Sequence, residues 1–541
     1  MFVQATKSRR GKKVYTSHLV RESFRTPKGP RSRTVSNISG LPVTVRELVA
    51  AALRGQSFVP SEAIELEAAL DYGGLAVVAE AWRRYGLDTV IAPLGTPRQR
   101  GLLKAMVFAR LLFPCSKLAL AEQAEGTLLA QACGLAPTET FDEDDLYAAM
   151  DGLNGEWVAT EKALYGRSCP ASTRLVLYDL TSVYFEGDGP VGLSRYGHSR
   201  DHRADRPQVL LAVATDPEGI PLHLEVLRGN RADTTTLQGL LATLRRRFGI
   251  HEATFVFDGG MSSRFNLDAM TEASLKFVTR ASSATLKALL ATSGVPLQME
   301  LGDETRVMEL EQEGQRYVLA GGAWRRQRDQ ERREVRIAKG QAALAKLAAV
   351  RRRKPDAQKL ASQAGRALER LKAHKYFDYR VDDRGLLTWT LRTEVIAQEL
   401  ALDGWYLLRT NATAQEASAQ ETLAHYKNLL EVEEAFRELK SYLEVRPVFH
   451  RRPDRVRNHV RLCFLAYWIS ARLGKEWRQR GEHGEVPRIL RRLQSIRVGT
   501  LCLEGKNLRT LVTRIPKPLN MLLAKIGALP LFASPPAWTH L

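Results

Sequence analysis

The spacing of apolar residues changes along the chain. Between about residues 43 and 165, apolar side chains recur every three to four positions, as in VRELVAAALRG, PSEAIELEAAL and RQRGLLKAMVFARLLF, which predicts amphipathic helices. From about residue 172 the pattern becomes that of strands, in STRLVLYDLTSVYF and in the two halves of RPQVLLAVATDPEGIPLHLEVLRG around the turn DPEG. The helix ADTTTLQGLLATLRRRFG and the strands ATFVFDGG and LKFVTRAS follow. This order predicts an α/β fold.

The second half of the chain interrupts this pattern and then resumes it. Residues 283–400 contain strands, the charged run WRRQRDQERREVR and a helical stretch from about 338 to 374 that is interrupted near Pro355. Such a block is typical of an inserted domain. The strand GWYLLRTN and the long helix ETLAHYKNLLEVEEAFRELKSYL then continue the α/β pattern.

Charge adds information about partners. A net charge of +20 and a pI near 9.8 indicate a polyanionic partner. Residues 1–40 carry +9 and residues 440–520 carry +13, which leaves the middle of the chain close to neutral. Basic ends around a neutral middle favour nucleic-acid contacts on both sides of a separate working centre. A basic protein without such a partner, or one that binds a membrane surface, is the alternative.

The sequence contains no recognisable signal for a membrane or for secretion. No run approaches the roughly 20 apolar residues that cross a bilayer, and the basic start MFVQATKSRRGKK lacks a following apolar core. The five cysteines form no CxxC pair, which argues against a disulfide framework or a zinc site. We therefore expect a protein of the reducing cytoplasm without a membrane partner.

Two aspartates occupy unusual positions in the predicted strands. Asp179 lies inside the apolar run LVLYDLTSVYFEG, where an isolated ionised carboxylate costs several kcal/mol unless a cation or a metal shares its charge. Asp258 ends the strand FVFDGG, at the edge of the sheet where ligands usually bind. The alternatives are a buried salt bridge for Asp179 and a helix cap for Asp258.

A third carboxylate lies on the long helix. Tyr426, Glu433 and Lys440 are seven residues apart and form one row along the border of the apolar stripe. Glu433 is therefore the acid predicted at the edge of the core, and its alternative role is a boundary ion pair with Lys440 or Arg437. The other acids of this helix are predicted on its solvated side: Glu431, Glu434 and Glu438.

If these three acids lie close together in the fold, they predict a metal-binding site. Asp179, Asp258 and Glu433 would form a site of charge −3, which repels itself unless cations bind, and oxygen ligands suit Mg²⁺ or Mn²⁺. Two such ions about 4 Å apart can promote phosphoryl transfer on DNA. We therefore expect these three residues to be both metal ligands and catalytic residues, with two ions bound.

Several stretches together resemble one known family. They are YDLTSVYF, GHSRDHRADRPQVLLAV, RGNRADTTTL, FVFDGGMSS, DGWYLLRTN and HYKNLLEVEEAFRELKSYLEVRPVFH, and they cover most of residues 172–282 and 401–469. In this combination the chain resembles the DDE transposases of bacterial insertion sequences, particularly the insertion-sequence-four-like group. The resemblance implies a ribonuclease H-like mixed sheet flanked by helices, with a domain inserted before the last catalytic acid. It also implies that Asp179, Asp258 and Glu433 are the metal-binding triad.

The resemblance points to residues that handle DNA. Tyr426, Glu433 and Lys440 match the family's Y, R, E, K helix motif, but Leu429 stands where that motif has arginine. Arg437 or Arg446 is expected to replace the missing phosphate contact. For Trp324 two interpretations stay open: a core tryptophan, which the sequence favours, and stacking on an unpaired base. The run RRPDRVRNHVR from residue 451 favours contact with the DNA backbone over a plain solvated face.

The expected organisation follows from these observations. Five segments are predicted: 1–165, a basic arm and helical DNA-binding region; 166–282 and 401–480, the two parts of the catalytic core; 283–400, the insertion; and 481–541, a basic helical region. The expected function is a nucleoid-associated bacterial transposase that forms a homodimer on double-stranded DNA, at the terminal inverted repeats and the target. Alternatives are a transposase-derived DNA-binding protein without cleavage, a non-mobile nuclease and a glycoside hydrolase, which would also use two carboxylates.

Overall fold

The computed structural model describes residues 1–56, 58, 63–136, 139–168, 174–293, 305–349, 356–503, 506–533 and 536–539. The interruption predicted near Pro355 lies outside these residues. Contacts along the chain divide it into two units. The first contains Met1–Leu70, Arg497–Arg514 and Pro535–Leu541, and the second contains Asp71–Ile496 and Ile515–Ser534. This division does not test the five functional segments expected from the sequence, and they stay a prediction.

The strands are numbered in chain order: β1 Phe2–Arg10, β2 Lys13–Thr26, β3 Gly29–Asn37, β4 Ile64–Asp71, β5 Leu175–Tyr184, β6 Gln208–Thr215, β7 Pro221–Arg228, β8 Thr254–Phe257, β9 Lys276–Arg280, β10 Arg306–Gln312, β11 Gln315–Gly321, β12 Phe377–Val381, β13 Leu387–Leu391, β14 Trp405–Thr410, β15 Arg497–Leu503 and β16 Lys506–Val512.

The α-helices are numbered likewise: α1 Val43–Leu53, α2 Gly73–Arg84, α3 Leu87–Val90, α4 Pro97–Leu112, α5 Lys117–Ala124, α6 Leu129–Ala132, α7 Glu143–Asp151, α8 Leu153–Ser168, α9 Leu237–Phe248, α10 Arg264–Glu272, α11 Ser283–Ser293, α12 Ala323–Ala349, α13 Ala357–Arg370, α14 Thr393–Leu402, α15 Ala419–Lys427, α16 Leu429–Arg437, α17 Pro453–Gln479, α18 Val486–Leu493, α19 Lys517–Ile526 and α20 Pro530–Ala533.

The second unit is built on an eight-stranded mixed sheet in the order β10-β11-β14-β9-β8-β5-β6-β7. Strands β5, β6 and β7 form an antiparallel meander, and β8 and β9 follow on the other side of β5, parallel to it. This arrangement is the ribonuclease H-like topology, so the predicted fold class is confirmed. The strands at its centre read as continuous apolar runs because both faces of the sheet are covered.

Helices cover the two faces of this sheet. On one face, β5, β6 and β8 share a core with α9 and α10, which includes Tyr178, Leu240 and Phe255. On the other face, α16 packs on β5 and β6, and α17 packs on β7. Strand β6 is buried along its whole length, and in β5 only Asp179 and Tyr184 are less than fully buried. Asp179 therefore interrupts an otherwise apolar central strand.

The predicted insertion begins as part of the central sheet. Strand β11 pairs with β14, and β10 pairs with β11, so both extend the sheet beyond β9. Helices α12 and α13 and the hairpin β12-β13 then form a separate core that includes Leu344, Leu368 and Phe377. The apolar run of β11 explains why β10 and β11 join the central sheet, because a strand buried at most of its positions needs neighbouring strands and covered faces.

Helices α2 to α8 belong to the same unit as the eight-stranded sheet, whereas α1 belongs to the first unit. Helix α4 begins at a capping box formed by Thr96 and Gln99, and most of its side chains are buried against α2, α7 and α17. One helix expected from the sequence is wrong: PSEAIELEAAL contains strand β4, which pairs with β15. Pairing with a distant strand here overrides a local helical pattern.

The first unit consists largely of two three-stranded sheets, the antiparallel β1-β2-β3 and β16-β15-β4, with helix α1 beside β1. The basic residues 1–40 therefore form mainly strands. Because β15 and β16 lie within residues 481–541, the expectation that this region is helical needs correction; α18, α19 and α20 are its helical parts. Among the described residues, no helix is both long and apolar enough to cross a membrane.

Candidate active site

Neighbouring strands bring the two predicted aspartates together. Strands β5 and β8 are parallel, and Tyr178 pairs with Phe257 as the last pair of their ladder. The next residues, Asp179 and Asp258, therefore stand at the same level of the sheet, one strand spacing or about 4.8 Å apart in the backbone. Asp258 is exposed and starts the short 3-10 turn Gly259–Met261, whereas Asp179 is partly buried.

Helix α16 carries Glu433 over this part of the sheet. Burial raises the pKa of Asp179 to about 7, and the charges of Asp258 and Glu433 also raise it. The backbone of Leu180 and the charge of Arg200 act in the opposite direction. The three carboxylates thus share one electrostatic field, in which ionised Asp179 is unfavourable unless a further cation balances it.

The alternative roles considered for these acids are not realised. Asp179 forms no ion pair within the described residues, because the nearby Arg200 instead pairs with Asp233 at 2.7 Å. Asp258 makes no side-chain cap bond, and Ser263 caps α10. Both proposed partners of Glu433 are also bound elsewhere: Lys440 to Asp201, and Arg437 to Glu434 and Glu485.

The three carboxylates do not form a finished coordination sphere. In the part of the chain that the structure describes, no group of three His, Cys, Asp or Glu side chains is arranged to hold a metal ion. The donors nevertheless suit a hard divalent cation, since all are carboxylate oxygens and one belongs to a desolvated aspartate with a raised pKa. Their role as metal ligands stays a prediction.

A group of two tyrosines and two arginines lies near Asp258. The rings of Tyr426 and Tyr406 are 6.2 Å apart, and the guanidinium of Arg325 lies 4.5 Å from the Tyr406 ring centroid. Burial raises the pKa of Tyr426 to about 12, and the negative charge of Asp258 raises it too. Burial and the charge of Arg280 lower the pKa of Arg325. Tyr426 is therefore close to the predicted acids, together with two arginines that the sequence did not single out.

A buried ion-pair cluster holds two predicted DNA-binding residues. Asp201, with a side chain only 3% exposed, accepts hydrogen bonds from Lys440 Nζ at 2.7 Å and pairs with Arg446 Nη1 at 3.2 Å. Burial lowers the pKa of Lys440, although Asp201 opposes this change. Lys440 and Arg446 thus act as one cationic pair fixed by a single carboxylate.

The helix that carries these residues is not continuous. It is divided into α15, α16 and a π-helical turn at Glu438–Tyr442, in which the Leu443 amide donates to the Glu438 carbonyl at 3.0 Å. Wider π turns shift the faces of a helix and are frequent at functional sites. The expectation that Glu438 lies on the solvated side is wrong, because its Oε1 atom is buried, with no hydrogen-bond partner in the described part of the chain, and burial raises the pKa of Glu438 to about 7.

The remaining predicted DNA contacts, Arg437, Arg446 and Trp324, do not all lie beside Lys440. Arg437 pairs with Glu434 and Glu485, the residue that precedes α18, whereas Arg446 shares Asp201 with Lys440. Of these two candidates to replace the motif arginine at Leu429, Arg446 is therefore the one beside Lys440. Trp324 is 70% exposed, with Arg328 5.1 Å from its ring centroid, so the alternative of a core tryptophan is wrong.

Sequence reasoning missed several residues around these carboxylates. Arg200 and Asp201 lie in the stretch GHSRDHRADRPQVLLAV, Asp233 lies in RGNRADTTTL, and Arg280 ends the strand LKFVTRAS. The signal for Asp201 was an acid between the basic residues of SRDHR, which is weak without its partner. Contacts between residues that are far apart in the sequence, such as Lys440 with Asp201, bring these residues to the site.

The chain is similar to known transposases in sequence pattern and in structure. The sequence model of the family described as "Transposase DDE domain" matches residues 170–469, more than half of the chain. A search of curated proteins found no significant match. Among solved structures, the cryo-EM structure of a piggyBac transposase synaptic complex with hairpin DNA covers 78% of this chain and 76% of its own, with 8% identity and a TM-score of 0.38.

Proposed function

Since this chain belongs to the Transposase DDE domain family, we propose that it is a DNA transposase of the insertion-sequence-four-like group. It binds transposon ends, cleaves DNA phosphodiesters and joins the freed 3′-hydroxyl ends to target DNA. The observation that carries this proposal is the ladder register that sets Asp179 beside Asp258, with the charge of Glu433 reaching Asp179. Three neighbouring carboxylates, one of them inside a central strand, are unfavourable for folding by themselves and are typical of a functional site.

We propose that Asp179, Asp258 and Glu433 hold two Mg²⁺ or Mn²⁺ ions. Bound there, the ions would neutralise the carboxylates and provide Lewis-acid stabilisation of the phosphoryl-transfer transition state. The chain itself contributes a rigid support, because Asp179 lies on a central strand and Asp258 follows the adjacent one. The turn after Asp258 requires glycine at position 259, because an added Cβ would lie only 2.8 Å from the carbonyl oxygen of Arg280.

Cationic and aromatic residues around the acids supply the proposed DNA contacts. Lys440 and Arg446 bind phosphates of the transposon end, and Arg446 takes the place of the motif arginine that Leu429 lacks. Tyr426, next to Asp258, contacts the DNA near the reacting phosphate. Trp324 stacks on an unpaired base, an interaction for which its exposed ring and the adjacent Arg328 are suited. Arg437 makes a weaker backbone contact, since two acids already engage it.

The partners follow from the charge of the chain. Residues 1–40, with a charge of +9, form strands that can approach the DNA backbone, as can the basic segment around residues 440–520. We propose that two copies bind the two terminal inverted repeats as a homodimer in a synaptic complex. The reaction would then take place in the bacterial cytoplasm, on nucleoid DNA.

The proposal predicts metal-dependent cutting and joining of DNA that carries the repeats found beside the gene. The purified chain with Mg²⁺ should nick such ends and transfer them to a plasmid. Glu433→Gln should reduce both steps at least about a hundredfold while leaving end binding within about twofold, because it removes a charge from a side chain that makes no hydrogen bond or ion pair to any described residue. Quantified product bands and gel-shift binding measure the two effects. Asp268→Asn, an exposed acid on α10, is the matched control and should behave as wild type.

The outcomes separate the alternatives. Binding without any cutting, unchanged by Glu433→Gln, would contradict the enzyme and favour a DNA-binding derivative. Cutting without joining would identify a non-mobile nuclease.

A further inference from the structure

The free edge of the central sheet borders a second basic site. Among the described strands, β7 pairs with β6 alone and so forms the edge of the sheet. Along it lie two adjoining cavities of about 260 and 640 Å³, which share Glu225, Val226 and Arg457 in their linings. Strand β7 is two strands from β5, so this edge lies about 10 Å or more from Asp179 across the sheet. The two cavities and their lining are called the arginine cleft below.

Five arginines line the arginine cleft. Arg247 of α9 and Arg457 and Arg461 of α17 face the smaller cavity, and Arg228 and Arg231 face the larger one. The acids that meet them are Glu225 in the lining and Glu161 behind it, so positive charge is in excess by three. Burial lowers the pKa of Arg461 to about 10, and the charges of Arg457 and Arg247 also lower it.

Some of these arginines are held by the protein and others are not. Arg247 pairs with the fully buried Glu161 at 2.9 Å, and Arg461 donates to Asn458 Oδ1 at 2.8 Å and lies over the Trp157 ring. Within the described residues, by contrast, the side chains of Arg457 and Arg228 make no hydrogen bond or ion pair. Arg231 donates to Thr235 Oγ1 at 3.2 Å and to the Thr235 carbonyl oxygen at 3.0 Å. Two guanidinium groups are therefore available to a ligand, next to three that the protein engages.

A buried histidine independently indicates a missing polar partner. His223 is 3% exposed and lines the smaller cavity. Its Nδ1 atom is bonded to Glu161 Oε1 at 2.8 Å, but its Nε2 atom is buried and has no hydrogen-bond partner within the described residues. Because Nδ1–H donates to a carboxylate, Nε2 of the neutral ring is an acceptor, so a hydroxyl group or a water molecule brought into the cavity with a ligand would satisfy it.

The spacing on α17 explains which arginines of the basic run reach the cleft. Arg457 and Arg461 are four residues apart and so share one face of the helix. Arg452 and Arg455 of the same run instead pair with Asp151. The run RRPDRVRNHVR thus contains a structural part and a part that faces the cleft.

We propose that the arginine cleft binds successive phosphates of a DNA strand outside the active site. Guanidinium groups match phosphate oxygens in geometry and charge, and two adjoining cavities along a strand edge suit a backbone more than a single small ion. This inference rests on the proposed function, because it concerns the same DNA. The cleft would hold the duplex at a distance from the reacting phosphate and fix its direction across the sheet.

The test removes only the two unengaged arginines. Arg228→Gln with Arg457→Gln should weaken binding of a duplex carrying the transposon ends about tenfold at 0.15 M salt, and should lower the slope of log K against log salt by about 2. Binding is measured by fluorescence anisotropy with EDTA, so that cleavage does not enter the readout. Arg246→Gln, an exposed arginine of α9 outside the cleft, is the control and should alter the slope by less than about 1. Restoring charge with Arg228→Lys and Arg457→Lys should recover most of the slope.

The outcomes distinguish failure of this site from failure of the proposed function. Wild-type binding with an unchanged slope in the double variant would overturn the arginine cleft as a DNA site. If inorganic phosphate raises the melting temperature of wild type but not of the variant while DNA binding is equal, the cleft binds free phosphate, and the DNA assignment is again overturned. A wild-type chain that binds no DNA would refute the proposed function itself. The far-ultraviolet circular dichroism spectrum of the double variant should match that of wild type, so that a loss of affinity can be attributed to the loss of charge.

Discussion

Asp179→Asn is expected to abolish DNA cleavage and strand transfer and, at the same time, to stabilise the folded protein above neutral pH. Loss of a proposed metal ligand should lower the rate at least about a thousandfold, or about 4 kcal/mol of transition-state stabilisation. DNA binding should stay within about twofold, because the basic surfaces are unchanged. The stability gain follows from the position of this carboxylate inside an apolar strand.

The pH dependence of that gain has a definite sign. Burial raises the pKa of Asp179 from an ordinary 3.8 to about 7, so the folded protein binds the proton more tightly than the unfolded chain does. Below about pH 4 the carboxyl is protonated in both states and costs nothing. As the pH rises toward 7, ionisation increasingly favours the unfolded chain, and above 7 the cost reaches up to about 4 kcal/mol. Asn carries no charge and avoids that cost.

Urea denaturation in EDTA at pH 4 and pH 8 measures the effect. The variant should match wild type at the lower pH and exceed it at the higher one, while Asp268→Asn, at an exposed position, should show no such pH-dependent gap. Added Mg²⁺ should stabilise wild type at pH 8 more than the variant, since only wild type has the full set of ligands. Equal stability of the variant and wild type at both pH values would show that Asp179 carries no unfavourable charge in the fold.

The central sheet could be predicted because its signals are local. The apolar runs that become β5, β6 and β7 mark strands buried on both faces, and a charged residue within such a run is easily noticed. Asp258 was recognised in the same way, as a carboxylate at the end of an apolar strand. What the sequence lacked was the register between β5 and β8, which brings Asp258 level with Asp179.

Other features depend on contacts between distant parts of the chain. Strand β4 exists because β15, more than 400 residues later, pairs with it. The seven-residue spacing predicted Glu433 at the edge of the core, but Glu433 is exposed, whereas Glu431, Glu434 and Glu438 are partly buried. The spacing also assumed a continuous helix, and the π turn at Glu438–Tyr442 changes the phase. Glu438 was therefore assigned to solvent although its Oε1 atom is buried. Local periodicity gives no information about such a change in winding.

Asp201→Asn is expected to be the most destabilising of the conservative substitutions near the site. The Asp201 side chain is 3% exposed and that of Lys440 is 10% exposed, so their ion pair is shielded from water. Removing the carboxylate leaves the charges of Lys440 and Arg446 close together without compensation. Breaking a buried pair from one side costs about 3–5 kcal/mol, and we expect the free energy of unfolding at pH 7 to fall by about 3 kcal/mol.

The control is a surface pair in the same loop. Asp205 is 62% exposed and pairs with Arg203 at 2.9 Å, so Asp205→Asn should cost less than about 1 kcal/mol. Chemical denaturation of both variants gives the comparison. If Asp201→Asn is no more destabilising than Asp205→Asn, the buried cluster does not hold Lys440 in place.

A double substitution distinguishes an electrostatic role of Asp201 from a purely steric one. With Asp201 absent, the unpaired ammonium of Lys440 is what the fold has to bury, so Lys440→Met on the Asp201→Asn background should recover part of the lost stability. Burial already lowers the pKa of Lys440, and without Asp201 that pKa falls further. The Asp201→Asn protein should consequently regain stability as the pH rises from 7 to 10, because Lys440 then loses its proton in the folded state. Additive losses in the double variant, with no such gain at pH 10, would mean that Asp201 supports packing and does not balance the charge of Lys440.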